Sequence, residues 1–204
     1  DSAFTSHILK YKYNMNPLTV TWPPNIYTNI GRYNFEAWLS SGFTNLSYFP
    51  NQKVHKLLTK YAFLNLGHPI QPFMLGQMNL APKISVERGI PLVIYGENPA
   101  EYGSAIEENN KPTKESHYYS SEFQLDDIFL GGVPAKKIIK DNNLNYSDLD
   151  AYLPGNPFEL EKCKTEVHYL GYYIRWHPQE MYYYSVENTD FMPMPYRVEG
   201  SYSK

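Results

Sequence analysis

The feature that most limits how this chain folds is the run Ile90-Pro91-Leu92-Val93-Ile94-Tyr95, which lies between Gly89 and Gly96. Its apolar residues are continuous rather than alternating, a pattern typical of a strand buried on both faces, as in a parallel sheet. Helical and strand-like segments alternate before it, which favours an α/β doubly wound layout. In such sheets ligands bind beyond the carboxyl ends of the strands. The segments after residues 22 and 95 are therefore the first candidates for a site.

The other elements are predicted from the spacing of apolar residues and from the residues that end helices. Helices are predicted over residues 1–13, 34–39, 52–66, 73–88, 122–130, 134–142, 147–153 and 178–188, and strands over residues 18–22, 44–49, 90–95 and 165–171. The helix over residues 52–66 is the clearest, because it has an apolar stripe and Gly67 follows as a C-terminal cap. Residues 103–121 are rich in Ser, Asn, Lys and Glu, which predicts a mobile loop or lid.

Composition excludes several classes of protein. The 204 residues are 42% hydrophobic and 19% charged, which predicts a globular chain of one domain. The net charge of −3 argues against binding nucleic acid through bulk charge. The single cysteine excludes an internal disulfide, and no apolar run reaches the length of a membrane span. We therefore expect a cytoplasmic protein with no membrane partner. The chain begins without methionine, and we expect it to be a portion of a longer polypeptide.

The segment after the apolar run is the most informative about chemistry. Gly96 lets a ligand approach the backbone closely. Glu97 and Glu101 are placed to hold a metal or an amine, and Asn98 to bind a phosphate or fix the loop. A tight turn with solvated carboxylates explains the same residues equally well.

Two further clusters combine cations with aromatic or polar residues. Lys53 and His55 lie near the start of the predicted helix over residues 52–66, an end that favours anions through free N–H groups and the helix dipole. By itself this pattern is more often a solvated charged face. Arg175 and Trp176 belong to the second cluster, at a predicted strand-to-helix joint. The six histidines show no helical pairing, so zinc bound by a helix is not predicted.

Several longer words in the sequence occur together in one known family. They are Tyr27-Thr28-Asn29-Ile30-Gly31, Pro50-Asn51-x-Lys53-Val54-His55, Gln71-Pro72-Phe73-x-x-Gly76-Gln77, residues 89–98, residues 169–180 and residues 199–204. On these words the chain resembles the N-acetyl sugar amidotransferases, a branch of the PP-loop ATP pyrophosphatases, over nearly its whole length. The family's Ser-Gly-Gly-x-Asp-Ser motif is absent except for Asp1-Ser2, so we expect an internal portion that lacks both ends.

The resemblance implies a fold. It is the doubly wound, mainly parallel sheet of the adenine nucleotide alpha-hydrolase-like type. Residues 1–103 would form the nucleotide-binding core, without its first strand and most of its loop. Residues 104–204 would complete the same domain with a lid or loop, short helices and a further strand–helix unit.

The resemblance also implies an activity. An acetamido group on a nucleotide-linked bacterial surface sugar, as used in lipopolysaccharide O-antigen, would become an acetamidino group at the expense of ATP. The amide oxygen would attack the α-phosphate, pyrophosphate would leave, and ammonia would then displace AMP. Such an enzyme would need Mg²⁺ to stabilise phosphate charge. It would also need a partner glutaminase with a synthase-like subunit to supply ammonia.

Roles for individual residues follow from their positions in the resemblance. Asp1 and Ser2 would contact the pyrophosphate, the backbone of Thr21 and Trp22 would receive adenine, and Gly96 would line the phosphate side. The catalytic residues would be Glu97 and Asn98. The sugar would be bound by Lys53, His55, Tyr102, Arg175 and Trp176.

Two other functions remain open from the sequence. One is a PP-loop enzyme that adenylates a tRNA base, against which the mild acidity of the chain argues. The other is a non-catalytic module that binds a nucleotide or a sugar.

Overall fold

A computed structural model describes residues 2–96 and 111–196 of the chain. The helices are α1 (Ser2–Tyr11), α2 (Asn29–Ser40), α3 (Gln52–Leu66), α4 (Gln71–Arg88), α5 (Ala135–Asn142), α6 (Tyr146–Leu149), α7 (Pro157–Cys163) and α8 (Pro178–Thr189). The strands are β1 (Leu18–Thr21), β2 (Thr44–Ser47), β3 (Leu92–Tyr95), β4 (Phe129–Leu130), β5 (Val133–Pro134) and β6 (Glu166–Tyr169). The predicted mixture of helices and parallel strands is confirmed at this level.

The parallel strands form two separate pairs. β1 pairs with β2 in a register that places Leu18 opposite Thr44, and β3 pairs with β6 with Leu92 opposite Glu166. Helices cover both faces of the second pair: Ile94 packs with α1 and α8, while Val93 packs with α4 and α7. The described strands thus do not form one continuous sheet.

The largest core lies between α3, α4 and the segment that runs from β4 to Leu153. Its buried side chains are Trp22, Val54, Leu58, Leu80, Leu130, Ala135, Ile138, Leu149, Ala151, Tyr152 and Leu153. A smaller cluster, built on Ile8, Leu9 and Leu170, holds α1 against α8. The first cluster supports the carboxyl end of β1, and the second supports the start of α1.

Local capping explains where the helices begin and end. The Asn51 side chain accepts a hydrogen bond from the Lys53 N–H at the start of α3, and Gly67 ends that helix with φ 64°. Thr28 accepts from the Gly31 N–H, so α2 begins at residue 29 instead of the predicted residue 34. Gly89, at φ 63°, ends α4 as predicted.

The strand β3 is covered on both faces but is less buried than predicted. Leu92 is 41% exposed, and Val93, Ile94 and Tyr95 are half-buried. The reason is that β6 is its only strand partner within residues 2–96 and 111–196, which leaves the other edge of β3 without a ladder.

The predicted helix over residues 122–130 is wrong. Phe129–Leu130 pairs with Val133–Pro134 in an antiparallel hairpin. Gly131 and Gly132 connect the two strands at φ 59° and 75°, which are the positive values that a two-residue hairpin turn requires.

The mobile loop or lid predicted over residues 103–121 is held by backbone hydrogen bonds in its described part. Residues 112–114 lie antiparallel beside β6, where the Lys114 N–H donates to the Val167 carbonyl at 2.8 Å. Ser120 bridges to Gly155. Residues 111–121 are therefore fixed to the sheet, and residues 103–110 lie outside the described residues. In the part of the chain that is described, no helix is both long and apolar enough to cross a membrane.

Candidate functional site

The carboxyl end of β3 lies directly against the first turn of α1. A Cβ atom placed on Gly96 would lie 2.9 Å from the Ser2 Cα and 3.0 Å from the Ser2 nitrogen. Both neighbours are backbone atoms and have no side-chain freedom to move away. Only glycine permits this approach. The structure thus brings together Ser2 and Gly96, two residues predicted to bind the nucleotide.

Thr5 completes this arrangement. Its Oγ1 would lie 3.0 Å from the same Cβ position on Gly96, and the residue is 4% exposed. The hydroxyl finds no hydrogen-bond partner among the described residues. An unsatisfied buried hydroxyl costs roughly 1–3 kcal/mol. The first N–H groups of α1 also lack partners within the helix. We call Ser2, Thr5 and Gly96 the helix cradle.

A pocket of about 360 Å³ opens at the carboxyl end of β1. We call it the β1 pocket, and its lining is Thr21, Pro24, Ile26, Tyr27, Thr28, Gly31 and Phe35. The volume is within the range of small-molecule sites, and the lining combines apolar and aromatic groups with three hydroxyls. Such a lining suits a flat heterocycle. Thr21, predicted to receive adenine through its backbone, is part of it.

Trp22, the next residue, turns into the core. It is 6% exposed, and its ring stacks on Tyr48 with the centroids 5.3 Å apart. A Cβ on Gly76 would lie 2.4 Å from an indole carbon, so α4 leaves a slot for this ring. Its Nε1 has no partner within the described ranges. The side chain therefore serves packing, and a nucleotide has access to Trp22 only through the backbone.

His55 also lies in the core, at 3% exposure. Its Nδ1 is 3.0 Å from the Tyr152 hydroxyl. Burial lowers the pKa of His55, and burial, aided by Tyr48, raises the pKa of Tyr152. Both shifts favour the neutral forms of the two side chains, so the pair is a neutral imidazole hydrogen-bonded to a phenol. Lys53, which was predicted with His55 as a sugar contact, is exposed, so the two side chains point to different surroundings.

Trp176 packs beside the start of α1. Its ring meets Phe4 edge-on, with centroids 6.4 Å apart and planes at 86°. Its Nε1 is buried, and no partner for it lies within residues 2–96 or 111–196. Arg175 is exposed. Through its contact with Phe4, Trp176 packs against the turn of α1 that carries Ser2 and Thr5 of the helix cradle.

Four predicted residues, Asp1, Glu97, Asn98 and Tyr102, lie outside the described residues. Within the described ranges, no group of three or more His, Cys, Asp or Glu side chains is placed to hold a metal ion. Mg²⁺ binding stays a prediction.

The sequence did not indicate Thr5, Tyr152 or the slot at Gly76 as parts of this region. Gly76 belongs to one of the sequence words that support the resemblance, and this was the signal by which its importance could have been found. Thr5 and Tyr152 gave none, because their importance depends on neighbours that are distant in sequence. Comparison with known proteins adds no further residue: no protein-family model matches the chain, and no curated protein matches it.

Proposed function

We propose that this chain is part of an ATP-dependent amidotransferase that converts the acetamido group of a nucleotide-linked sugar to an acetamidino group. The observation that carries the proposal is the helix cradle. It combines a backbone approach that only glycine permits, the N–H groups at the start of α1, which have no partner within the helix, and a buried hydroxyl without a partner among the described residues. These are the features that bind a phosphate chain.

The proposed fold is the doubly wound sheet of the PP-loop enzymes, with the two parallel pairs as its halves. α4 contacts both β1 and β3. Each of these strands has an edge that no described strand pairs with. One further parallel strand that leads into Ser2 would pair with both edges. The order would then be β2, β1, the added strand, β3 and β6, with helices on both faces.

ATP would lie along the carboxyl edge of this sheet. The adenine would occupy the β1 pocket, where Thr21 and the rings of Tyr27 and Phe35 surround it. The pyrophosphate would reach the helix cradle. Glu97 and Asn98, with Asp1, would hold Mg²⁺ near the phosphates, where the cation would offset the negative charge that develops.

ATP is needed because an amide carbonyl is a poor electrophile and oxide is a poor leaving group. Attack of the amide oxygen on the α-phosphate releases pyrophosphate and forms an O-adenylated imidate. Ammonia then displaces AMP, which leaves readily. The protein's contribution is to position the reactants and to stabilise the phosphate charge.

The sugar nucleotide would be bound by exposed cations and an aromatic side chain. Lys53 and Arg175 are exposed, and Trp176 lies beside the start of α1. Tyr102 would add a further contact. His55 would act indirectly, since it is buried against Tyr152. Ammonia would come from a partner glutaminase with a synthase-like subunit, and the reaction would take place in the cytoplasm, where ATP and nucleotide-linked sugars are available.

The test uses the full-length protein. ATP, ammonium and a panel of nucleotide-linked N-acetyl sugars are supplied, and release of AMP and pyrophosphate is measured. We expect release that depends on one sugar, and a product in which NH has replaced the amide oxygen, identified by mass. Glu97→Ala should abolish turnover without unfolding the protein.

Two results would contradict the proposal. Release of AMP that depends on tRNA and on no sugar would indicate a tRNA-modifying enzyme of the same fold. Failure to bind ATP would indicate a non-catalytic sugar-binding or nucleotide-binding module.

A further inference from the structure

Three side chains with acid–base chemistry contact one another at the outer strand, β6. The His168 Nε2 is 3.0 Å from a Glu166 carboxylate oxygen, and the His168 Nδ1 is 2.5 Å from the Tyr173 hydroxyl. We call these residues the β6 triad. None of them belongs to the helix cradle or the β1 pocket.

The backbone fixes this geometry. Glu166 and His168 are two residues apart on a strand, so their side chains project from the same face. The 3-10 turn Leu170–Tyr172 then reverses the chain and returns Tyr173 to the imidazole. Leu170 is 4% exposed and packs against Ile8 and Leu9 of α1, which anchors the turn.

The two contacts assign the imidazole tautomer. An ionised carboxylate only accepts hydrogen bonds, so Glu166 accepts from the Nε2–H of His168. The Nδ1 then carries a lone pair and accepts from the Tyr173 hydroxyl. The side chain of His168 is 15% exposed, whereas Tyr173 is 58% exposed. Glu166, at the other end of the triad, has a side chain that is 70% exposed, so an external reactant reaches both the carboxylate and the phenol oxygen.

The triad lies on the strand that pairs with β3. β6 runs parallel to β3 with Tyr169 opposite Tyr95, and Tyr173 is the fourth residue after Tyr169. We propose that the β6 triad is a proton relay and that Tyr173 is the general base for the ammonia step. Its use in that step rests on the function proposed above.

The protons balance in this step. Ammonia forms a C–N bond to the carbon of the N-protonated imidate and becomes an ammonium group. That group loses one proton to the Tyr173 oxygen, whose own proton passes to the His168 Nδ1, while the C–O bond breaks and AMP leaves. The product is the amidinium ion. Glu166 stabilises the imidazolium until its proton returns to solvent.

The relay is tested first without turnover. An aryl sulfonyl fluoride labels tyrosine oxygens with loss of fluoride, and the proton of the phenol passes to a nearby base. Tyr183 is the internal standard because it is 56% exposed, close to the value for Tyr173. We expect Tyr173 to be labelled about tenfold faster than Tyr183, and His168→Gln to remove that difference. Equal labelling in the unmodified protein would overturn the relay.

The second test separates the two chemical steps in the full-length protein. Tyr173→Phe should leave sugar-dependent exchange of pyrophosphate into ATP unchanged and should slow ammonia-dependent amidine formation about 100-fold. Tyr183→Phe is the matched control and should leave both rates unchanged. An unchanged amidine rate in Tyr173→Phe would overturn the role in catalysis.

The two proposals fail in different ways. Absence of sugar-dependent exchange in the unmodified protein would overturn the amidotransferase and, with it, the role of Tyr173 in that reaction. The labelling experiment does not depend on turnover, so it still decides whether the relay exists.

Discussion

The ring of Trp22 occupies the space that a side chain on Gly76 would fill. A Cβ on Gly76 would lie 2.4 to 2.5 Å from three carbons of the indole. The ring has little room to retreat, because Tyr48 stacks on one face and Tyr152 meets it edge-on at 5.4 Å. This contact joins the residue after β1 to α4.

We therefore expect Gly76→Ala to lower the free energy of unfolding. Overpacking costs about 1–3 kcal/mol, and the better helix propensity of alanine returns up to about 1 kcal/mol. Urea unfolding measures the net loss. In a Trp22→Leu background the same substitution should be neutral or stabilising, since the ring is gone. An equal loss in both backgrounds would show that the ring does not fill this slot.

Gly96→Ala should weaken ATP binding by about tenfold or more, equivalent to about 1.4 kcal/mol. The new methyl group would meet the backbone of Ser2, so the start of α1 must shift away from β3. Calorimetric titration of ATP into the full-length protein measures the affinity.

The control for this substitution is Gly67→Ala. Gly67 has φ 64°, but no atom lies within 4 Å of its Cβ position. The Gly67→Ala protein should lose about 1 kcal/mol of stability through backbone strain alone and should keep its affinity for ATP. If Gly67→Ala weakened ATP binding as much as Gly96→Ala, the effect would be general destabilisation.

The sequence predicted those parts of the fold that local residues decide. The bounds of α3 were predicted correctly because Asn51 and Gly67 cap it from adjacent positions. The hairpin at Gly131 carried an equally local signal, two consecutive glycines, but apolar residues around it were interpreted as a helix. The exposure of Leu92 could not be predicted, since it depends on which strand pairs with β3.

The candidate site was predictable to a similar extent. Gly96 could be identified because a glycine that follows an apolar strand is a local pattern. Its contact with Ser2, and the orphaned hydroxyl of Thr5, arise only when α1 packs against the sheet. His55 was predicted to contact the sugar, in a segment chosen because it lies near a helix start, but its Tyr152 partner is far along the chain and holds it in the core.

Thr5→Val should separate stability from ligand binding. Replacing an unpartnered buried hydroxyl with a methyl group of similar shape should raise the free energy of unfolding by about 1 kcal/mol. The same change should weaken binding of pyrophosphate, because the helix cradle loses a donor. Thermal unfolding and titration with pyrophosphate measure the two effects.

Thr189→Val is the matched control for Thr5→Val. Thr189 is 2% exposed, and its hydroxyl donates to the Ser185 carbonyl at 2.8 Å. Its loss should destabilise the protein by about 1 kcal/mol and leave pyrophosphate binding unchanged. A destabilised Thr5→Val protein with normal pyrophosphate affinity would mean that the hydroxyl has a structural partner and no role in the cradle.

Stability should fall as the pH is lowered through the range in which an unfolded histidine titrates. Burial lowers the pKa of His55 from its ordinary value of 6.5, so the folded state stays neutral where the unfolded state takes up a proton. The contribution of His55 to the free energy of unfolding is therefore complete above pH 6.5 and is lost below it. In that range the free energy of unfolding changes by up to about 1.4 kcal/mol per pH unit. His7 adds to the slope, because burial and then Lys10 lower its pKa as well.

His55→Gln should reduce the slope in urea unfolding between about pH 5 and 8, whereas Leu58→Val, a neighbour in the same core, should lower stability equally at every pH. An unchanged slope in His55→Gln would show that this imidazole titrates alike in both states.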